Sequence, residues 1–227
     1  MARIETIASA VVGLSALSMA VTYAVQPARR VRVHPDRPVY VDEWRSVAAA
    51  GLQTGNPNAP VQLVVFNDFE CPFCARFHQV IRASEQRYRE RLATVFLHRP
   101  ITAHRSAVPA ARAADCAASQ DRLSEMVQVL FEKQDSLGTK AWESYARDAG
   151  LPDQAAFQAC MRPSAPFPRL DRDTTLARKL SVFVTPTAIV NGWRFPSPPD
   201  SLALWQAIDS LLANRSPFPR RRILGVF

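Results

Sequence analysis

The chain has 227 residues, of which 48% are hydrophobic and 21% are charged, and its formal net charge is +8. This composition is ordinary for one folded domain with an insertion, and it excludes a collagen-like, coiled-coil or wholly disordered chain. Glycine is scarce, with 7 residues against 18 prolines, and no phosphate-binding GxGxxG or GxxxxGK[ST] motif occurs.

The positive charge lies in two flanking segments and not in the body of the chain. Residues 28–37 carry an excess of three positive charges and residues 213–227 an excess of four, which leaves one for residues 38–212. Basic flanks suit an anionic membrane surface or simple solvation, whereas a nucleic-acid-binding face needs its cations on the folded domain. We therefore expect no nucleic-acid partner.

The N-terminal segment is predicted to be a membrane anchor. No charged residue occurs from Thr6 to Ala28. The nineteen residues from Ile7 to Val25 would form a helix of roughly 28 Å, which is close to the hydrocarbon thickness of a bilayer. A cleaved signal peptide in residues 1–27 and a buried helix of a soluble domain are the alternatives. The arginines that follow this segment favour a cytoplasmic domain by the positive-inside rule, but the chemistry argued below belongs outside the cytoplasm.

The first part of the remaining chain predicts an α/β domain. Residues 28–60 are expected to be a linker with one short helix from Asp42 to Ala50. The apolar run from Val61 to Phe66 predicts a buried strand, and an apolar stripe from Phe73 to Leu92 predicts a helix. Thr94 to His98 predicts a second strand. Together these three elements form a βαβ unit.

The second part predicts helices, a hairpin and a last helix. Alanine-rich helical periodicity from about residue 104 to residue 180 predicts a helical insertion. Two strand-like runs flank Asn191-Gly192, and this dipeptide is the strongest short-range signal of a β-hairpin. An apolar face from Leu204 to Leu212 predicts the last helix. The folded domain is thus expected to span residues 61–214, with a basic tail at 215–227.

The candidate chemistry lies at Cys71-Pro72-Phe73-Cys74, where the first predicted strand is followed by the helix. Pro72 suits the first helical position. Cys71 would then lie at the helix N-terminus, where unpaired N–H groups and the positive end of the helix stabilise a thiolate. Cys74, one turn further on, is close enough to form a disulfide with Cys71 and would be the less exposed thiol. A CxxC motif in this position indicates thiol–disulfide redox chemistry.

Further motifs make a family resemblance specific. The segment from Phe66 to Cys74 is followed by Thr185-Pro186-Thr187 and then by Asn191-Gly192. These motifs resemble the DsbA-like thiol–disulfide oxidoreductases of the thioredoxin superfamily, in particular the single-domain bacterial branch with a helical insertion. The resemblance covers roughly residues 50–214. It implies a thioredoxin-like α/β fold with an α-helical insertion.

The resemblance also implies roles for named residues. Cys71 would attack and form the mixed disulfide, and Cys74 would resolve it. Pro186 would be a cis-proline packed beside them, and Thr185 would offer backbone groups to an extended substrate segment. Phe73, between the cysteines, is either a core or rim aromatic or a substrate contact.

Two positions depart from the superfamily pattern. The buried acidic residue that often stands six positions before the first cysteine is Val65 here, and the glycine that usually follows the hairpin is replaced by Pro196 to Pro199. Asp68 and Glu70 are therefore candidates for proton transfer to the buried thiol. The alternative for both is a helix cap or a solvated turn residue.

The other two cysteines, Cys116 and Cys160, fall in predicted helices of the insertion. An even number of cysteines in an exported chain favours a second disulfide, and some relatives carry a bridge in this region. We predict that Cys116 and Cys160 are paired. The alternative is two buried free thiols.

A zinc site is the alternative chemistry for the first cysteine pair, because His98 and His104 follow it. The gap of 23 residues between Cys74 and His98 exceeds the usual spacing of about 12–15 residues, and a metal would tie up the nucleophile. We expect no metal and no cofactor. His78, one turn after Cys74, is expected at the surface.

The function predicted from these motifs is disulfide formation in extracytoplasmic proteins that contain cysteines. A membrane partner, resembling a quinone-linked oxidase or a vitamin K epoxide reductase homologue, would reoxidise the dithiol. A reductase or isomerase with the same site is the first alternative, because direction depends on which redox form the protein stabilises. A non-catalytic, membrane-anchored binding protein on a thioredoxin scaffold is the second.

Overall fold

A mixed β-sheet forms the centre of the computed structural model, which describes residues 37–219. Its strands are β1 (Val39–Tyr40), β2 (Leu52–Gly55), β3 (Val61–Asn67), β4 (Leu92–His98), β5 (Thr187–Val190) and β6 (Trp193–Arg194). Their order across the sheet is β1-β6-β5-β3-β4-β2. Strand β3 runs parallel to β4 and antiparallel to β5.

The two long strands form the buried middle of this sheet. Six of the seven residues of β3 and all seven residues of β4 are buried. Both strands are nearly continuous apolar runs, as expected where helices cover both faces of a sheet. Because parallel strands need a crossover connection, helix α2 (Pro72–Tyr88) joins them. The βαβ unit predicted from the sequence is therefore present.

Helices cover both faces of the sheet and divide the core in two. The others are α1 (Trp44–Ala50), α3 (Ala107–Ala118), α4 (Leu123–Glu132), α5 (Trp142–Asp148), α6 (Gln154–Met161), α7 (Pro168–Lys179) and α8 (Ser201–Leu212). Leu63 and Val65 of β3 pack with α2 and α8 on one face. Val64 and Phe66 pack with α1 and α7 on the other face, as the alternation of side chains along a strand requires.

Helices α3 to α7 lie between β4 and β5 in the chain and form the predicted helical insertion. Apolar side chains of α3 to α6 join the core on the α2 face, including those of Ala113, Met126 and Leu130, whereas α7 packs on the other face. A disulfide connects Cys116 in α3 with Cys160 in α6, across 44 positions of the chain. The insertion is therefore packed on the domain and cross-linked within itself.

The hairpin between β5 and β6 has the predicted Asn-Gly turn. Asn191 and Gly192 both have positive φ angles, of 39° and 92°, which this turn type requires. The Asn191 side chain accepts a hydrogen bond from Gln62 N–H at 2.8 Å and donates one to the carbonyl of Pro60 at 2.9 Å. The turn is thereby fixed to the start of β3.

The short helix predicted within residues 28–60 is present as α1, but the rest of that stretch is not simply a linker, because it contains the strands β1 and β2. Strand β2 pairs antiparallel with β4, with Leu52 opposite Phe96, and β1 pairs with β6. Trp44 and Val47 of α1 are buried in the core on the α7 face. Both strands are short edge strands, and they have too few residues to show a periodic pattern in the sequence.

The described residues have a thioredoxin-like α/β fold with a mixed sheet. The helix predicted for residues 1–27, as an anchor or a signal, lies outside them, and so does most of the basic tail. Within residues 37–219, none of the helices combines the length and the apolar character needed to cross a membrane.

Candidate active site

The cysteines of the CxxC motif lie where β3 leads into α2. Cys71 has extended backbone angles and is the N-cap residue of the helix, and Pro72 takes the first helical position. The Cys71 carbonyl accepts hydrogen bonds from Cys74 N–H at 3.0 Å and Ala75 N–H at 3.2 Å. Both cysteines are buried, unbridged thiols. The helix start therefore holds two sulfurs one turn apart.

The pKa values of the two thiols are shifted in opposite directions. A hydrogen bond from the Cys74 thiol, together with backbone N–H groups of Cys74 and Phe73, lowers the pKa of Cys71 from 9.0 to about 5, although burial opposes this shift. Burial and the hydrogen bond to Cys71 raise the pKa of Cys74. At neutral pH the reduced site therefore holds one thiolate, at Cys71, and one protonated thiol behind it. A thiolate at Cys71 is both a nucleophile and a good leaving group.

The Thr185-Pro186 segment lies opposite Cys71. The Thr185–Pro186 peptide bond is cis. The Cys71 sulfur lies 3.6 Å from the Thr185 carbonyl oxygen, to which it donates a hydrogen bond when it is protonated. Thr187, which begins β5, donates its hydroxyl to the Val184 carbonyl at 2.8 Å. The segment is thus held with a backbone carbonyl directed at the sulfur.

Exposed apolar side chains occur next to these motifs. Phe73 is 59% exposed, Phe183 67% and Val184 64%. The guanidinium group of Arg76 lies 4.4 Å from the centre of the Phe73 ring. Phe73 is therefore a surface aromatic and not a core residue. Phe183 and Val184, which precede the cis-proline, are exposed as well.

Asp68 is buried behind the cysteines and is not a solvated turn residue. One carboxylate oxygen accepts a hydrogen bond from Glu70 N–H at 2.8 Å. The other accepts one from Ile101 N–H at 2.8 Å and contacts His104 Nδ1 at 2.7 Å. The Asp68 carbonyl accepts Cys71 N–H at 3.2 Å. The Asp68 side chain thus connects the start of the active-site helix with the loop after β4.

Glu70 has a different position from Asp68. Its carboxylate accepts a hydrogen bond from Ser106 N–H at 2.5 Å. Ser106 is the N-cap residue of α3, the first helix of the insertion. In the described contacts, Glu70 thus holds the insertion and does not bond either sulfur.

Sequence reasoning missed two residues of this site. His104 was considered only as a metal ligand, and its partner Asp68 lies 36 positions earlier. Gln134 donates hydrogen bonds to the carbonyls of Phe69 at 2.7 Å and Cys71 at 3.0 Å. Neither contact has a local sequence signal, because each depends on how the insertion packs.

The other histidines are core residues. His78 was expected at the surface, but it is buried and its ring stacks on Phe131 with centroids 4.6 Å apart. Burial and then the charge of Arg82 lower the pKa of His78 to about 4. His98 is buried as well. In the part of the chain that the structure describes, no three His, Cys, Asp or Glu side chains are arranged to hold a metal ion.

Comparison with known families agrees with this geometry. A family model described as thioredoxin matches residues 48–210, which contain Cys71, Cys74 and Pro186. The chain belongs to the thioredoxin family.

Solved structures of this thioredoxin fold support the resemblance to DsbA-like proteins. Oxidised BdbD from Bacillus subtilis is similar with a TM-score of 0.66 and 19% identity, over 78% of this chain and 99% of that one. Alpha-DsbA1 from Wolbachia pipientis is similar with a TM-score of 0.62 and 20% identity, over 72% of this chain and 92% of that one. The resemblance stated from the motifs is confirmed at the level of the fold.

Relatives by sequence include longer proteins that contain a segment similar to this thioredoxin-family domain. A protein from Mycolicibacterium gilvum named Na(+)/H(+) antiporter NhaA 1 is 37% identical over 159 residues, which are 69% of this chain and 26% of the antiporter. The chain therefore spans about a quarter of the length of the curated relatives it matches.

Proposed function

We propose that this protein is a thiol–disulfide oxidoreductase that introduces disulfides into extracytoplasmic proteins. The observation that carries the proposal is the unequal pair of thiols at the start of α2. Cys71 is readily ionised and faces the Thr185 carbonyl at 3.6 Å, whereas burial keeps Cys74 protonated. A site of this kind can accept and release a substrate sulfur at Cys71 alone.

The proposed reaction starts from the Cys71–Cys74 disulfide. A substrate thiolate attacks the Cys71 sulfur, the bond between the two cysteines breaks, and Cys74 leaves and takes up a proton. A second substrate thiolate then attacks the substrate sulfur of the mixed disulfide, and Cys71 leaves as a thiolate. The substrate loses two electrons and gains a disulfide, and the protein becomes the dithiol.

The low pKa of Cys71 supports the oxidising direction. A stabilised thiolate favours the reduced protein, and a couple whose reduced form is stabilised is a stronger oxidant. It also makes Cys71 the better leaving group in the second step. Thiol acidity therefore favours an oxidase over a reductase or isomerase with the same residues.

The surface around Cys71 supports a protein substrate. Thr185 is proposed to offer its backbone to an extended segment, with Pro186 packed beside the sulfurs. Phe73, Phe183 and Val184 are exposed next to these positions. We propose that they contact apolar side chains on either side of the substrate cysteine.

The proposed setting is the outer face of a cell membrane. Residues 1–27 are proposed to anchor or export the domain, and a quinone-linked or vitamin K epoxide reductase-like partner is proposed to reoxidise it. The antiporter name of the relatives supports a membrane setting. Ion transport is not proposed, because the chain spans only about a quarter of those proteins.

The deciding experiment is the reduction potential of the Cys71–Cys74 couple in the full chain, equilibrated against glutathione buffers. A value near about −120 mV is expected for a disulfide-forming enzyme. A value near about −270 mV would make it a reductant. Thiol-oxidation and insulin-reduction assays of the wild type and Cys71→Ala complete the test, since equal results for both proteins would leave only a binding role.

A further inference from the structure

A buried carboxylate, that of Asp68, lies three positions before the reactive cysteine in the chain. The Asp68 side chain is 0% exposed and that of His104 is 26% exposed, and the two groups are 2.7 Å apart. A carboxylate without water is costly unless donors and an opposite charge compensate it. Glu70 N–H and Ile101 N–H supply two donors. His104 is the cationic partner that the structure gives to Asp68.

This pair is coupled to Cys71 through the backbone. The Asp68 carbonyl accepts a hydrogen bond from the Cys71 N–H at 3.2 Å. The carboxylate therefore belongs to a residue that is hydrogen-bonded to the reacting cysteine. A negative charge near a thiol disfavours a second negative charge on the sulfur, and the charge of Cys71 is among those that raise the pKa of His104. Protonated His104 neutralises Asp68, whereas neutral His104 leaves the charge of Asp68 with only its two backbone N–H donors.

The groups that face His104 all favour its protonated form. They are Asp68 and Glu70 from the loop between β3 and α2, and Cys71 from the start of α2. The hydrogen bond to Asp68 raises the pKa of His104, burial opposes this, and the charges of Asp68, Glu70 and Cys71 add to it. Because the ring is partly exposed, it can exchange its proton with solvent.

We propose that His104 is a positioning residue that compensates the buried charge of Asp68 and thereby favours release of Cys71 as a thiolate. The inference rests on the proposed function, and it means that the oxidising strength of the Cys71–Cys74 couple depends on pH through His104. While His104 is protonated, the reduced form is stabilised and the couple is a strong oxidant. As the pH rises through the titration of His104, this part of the oxidising strength is lost.

The test compares His104→Asn, His104→Lys and Arg105→Ala in the full chain. Asparagine keeps a hydrogen-bond donor near Asp68 without a charge, and lysine keeps a charge that does not titrate near neutral pH. Arg105 is exposed and adjacent, so its loss controls for a general change in charge. The readouts are the thiolate absorbance of the reduced protein and its reduction potential, each as a function of pH.

We expect His104→Asn to reduce the thiolate fraction of Cys71 about tenfold at a pH below the wild-type midpoint. At a pH above the Cys71 midpoints of both proteins, the same tenfold change in the acid dissociation constant of Cys71 makes the reduction potential about 30 mV more negative. His104→Lys should match the wild type at low pH and lose only the part of the pH dependence that comes from His104 at higher pH, and Arg105→Ala should match the wild type throughout.

The inference is overturned if Cys71 titrates in His104→Asn as in the wild type, or if Arg105→Ala produces an equal shift. If His104→Asn does not fold, the comparison of the wild type with His104→Lys above neutral pH decides, and identical pH dependence overturns the inference. Failure of the proposed function is a separate result. In that case the reduction potential of the wild-type Cys71–Cys74 couple would be near that of a reductant. The titration of Cys71 in the variants would still decide the role of His104.

Discussion

The sulfur of Cys71 lies 3.6 Å from the carbonyl oxygen of Thr185, although 114 positions of the chain separate the two residues. The sulfur of Cys74 lies one helical turn further in and is buried. A substrate segment placed along Thr185 therefore meets Cys71 before Cys74. We propose that the two cysteines therefore have different parts in the reaction.

Removal of either cysteine should separate those parts. We expect Cys71→Ala to abolish disulfide exchange, because the remaining Cys74 is buried and stays protonated. In Cys74→Ala, the Cys71 thiolate should instead attack a disulfide-bonded substrate, release one substrate sulfur as a thiolate and accumulate as a mixed disulfide. Non-reducing electrophoresis with mass analysis of the adduct measures both. An adduct formed by Cys71→Ala and not by Cys74→Ala would reverse the assignment.

The stability of the reduced protein should depend on pH through Cys71. Its pKa is lowered from 9.0 to about 5, so its ionisation stabilises the fold fully above pH 9.0, and this contribution is lost as the pH falls through about 5. Cys74, whose pKa is raised above its ordinary 9.0, adds no slope below that pH.

The measurement is the unfolding free energy of the reduced wild type minus that of reduced Cys71→Ser. This difference should rise with pH between about 5 and 9. His104 and the other titrating groups are present in both proteins. A difference that is flat across this window would contradict an acidic Cys71.

The disulfide of the insertion should contribute to stability and not to catalysis. The double variant Cys116→Ala/Cys160→Ala opens a loop of 44 positions, which the chain-entropy relation values at about 3–4 kcal/mol. Chemical denaturation of the oxidised protein measures the loss. Thiol-oxidation activity at low temperature should be unchanged, and a loss of activity without a loss of stability would place this bridge in the reaction.

Gln134 should support the start of the active-site helix. Gln134→Ala removes hydrogen bonds to the carbonyls of Phe69 and Cys71. The expected cost is about 1–2 kcal/mol in unfolding free energy. Gln128→Ala is the matched control, because its amide bonds only an exposed neighbour, Glu132, in the described contacts. Equal costs for both variants would show that the contact of Gln134 with the motif has no special weight.

Gly192 should be far less replaceable than Gly150. Both have positive φ angles, but a Cβ at Gly192 would come within 2.6 Å of Trp44 Cδ1, whereas nothing lies within 4 Å of a Cβ at Gly150. Gly150→Ala should cost about 1 kcal/mol from the backbone alone. Gly192→Ala should cost at least 2 kcal/mol more, or roughly 3 kcal/mol in all. Thermal denaturation compares them, and equal costs would contradict tight packing at the hairpin.

The centre of the fold could be predicted because its signals are local. The apolar run of β3, the helical stripe of α2 and the turn at Asn191-Gly192 each occupy a short continuous stretch. The edge strands could not be predicted in this way. The four residues of β2 form a strand because β4 offers them a register, from Leu52 opposite Phe96 to Gly55 opposite Ala93.

In the candidate site, too, the residues with a local sequence signal could be predicted and those that depend on distant contacts could not. Cys71, Cys74 and Pro186 follow from motifs, and the structure brings Cys71 to the residue before the cis-proline. His104 contacts Asp68, and Gln134 bonds the carbonyls of Phe69 and Cys71, from other segments of the chain, and single-residue patterns do not reveal such contacts. His78 was misplaced because its burial depends on the Phe131 ring of the insertion.

Two carboxylates two positions apart, Asp68 and Glu70, bond to different partners in the segment after β4. Asp68 holds Ile101 and His104, and Glu70 holds the N–H of Ser106 at the start of α3. Transplanting only Cys71 to Cys74 into another scaffold would therefore transfer the sulfurs without their electrostatic setting. A working graft would have to include the stretch from Asp68 to Cys74 together with the loop from Ile101 to Ser106. The transferable unit of this chemistry is a pair of segments and not a four-residue motif.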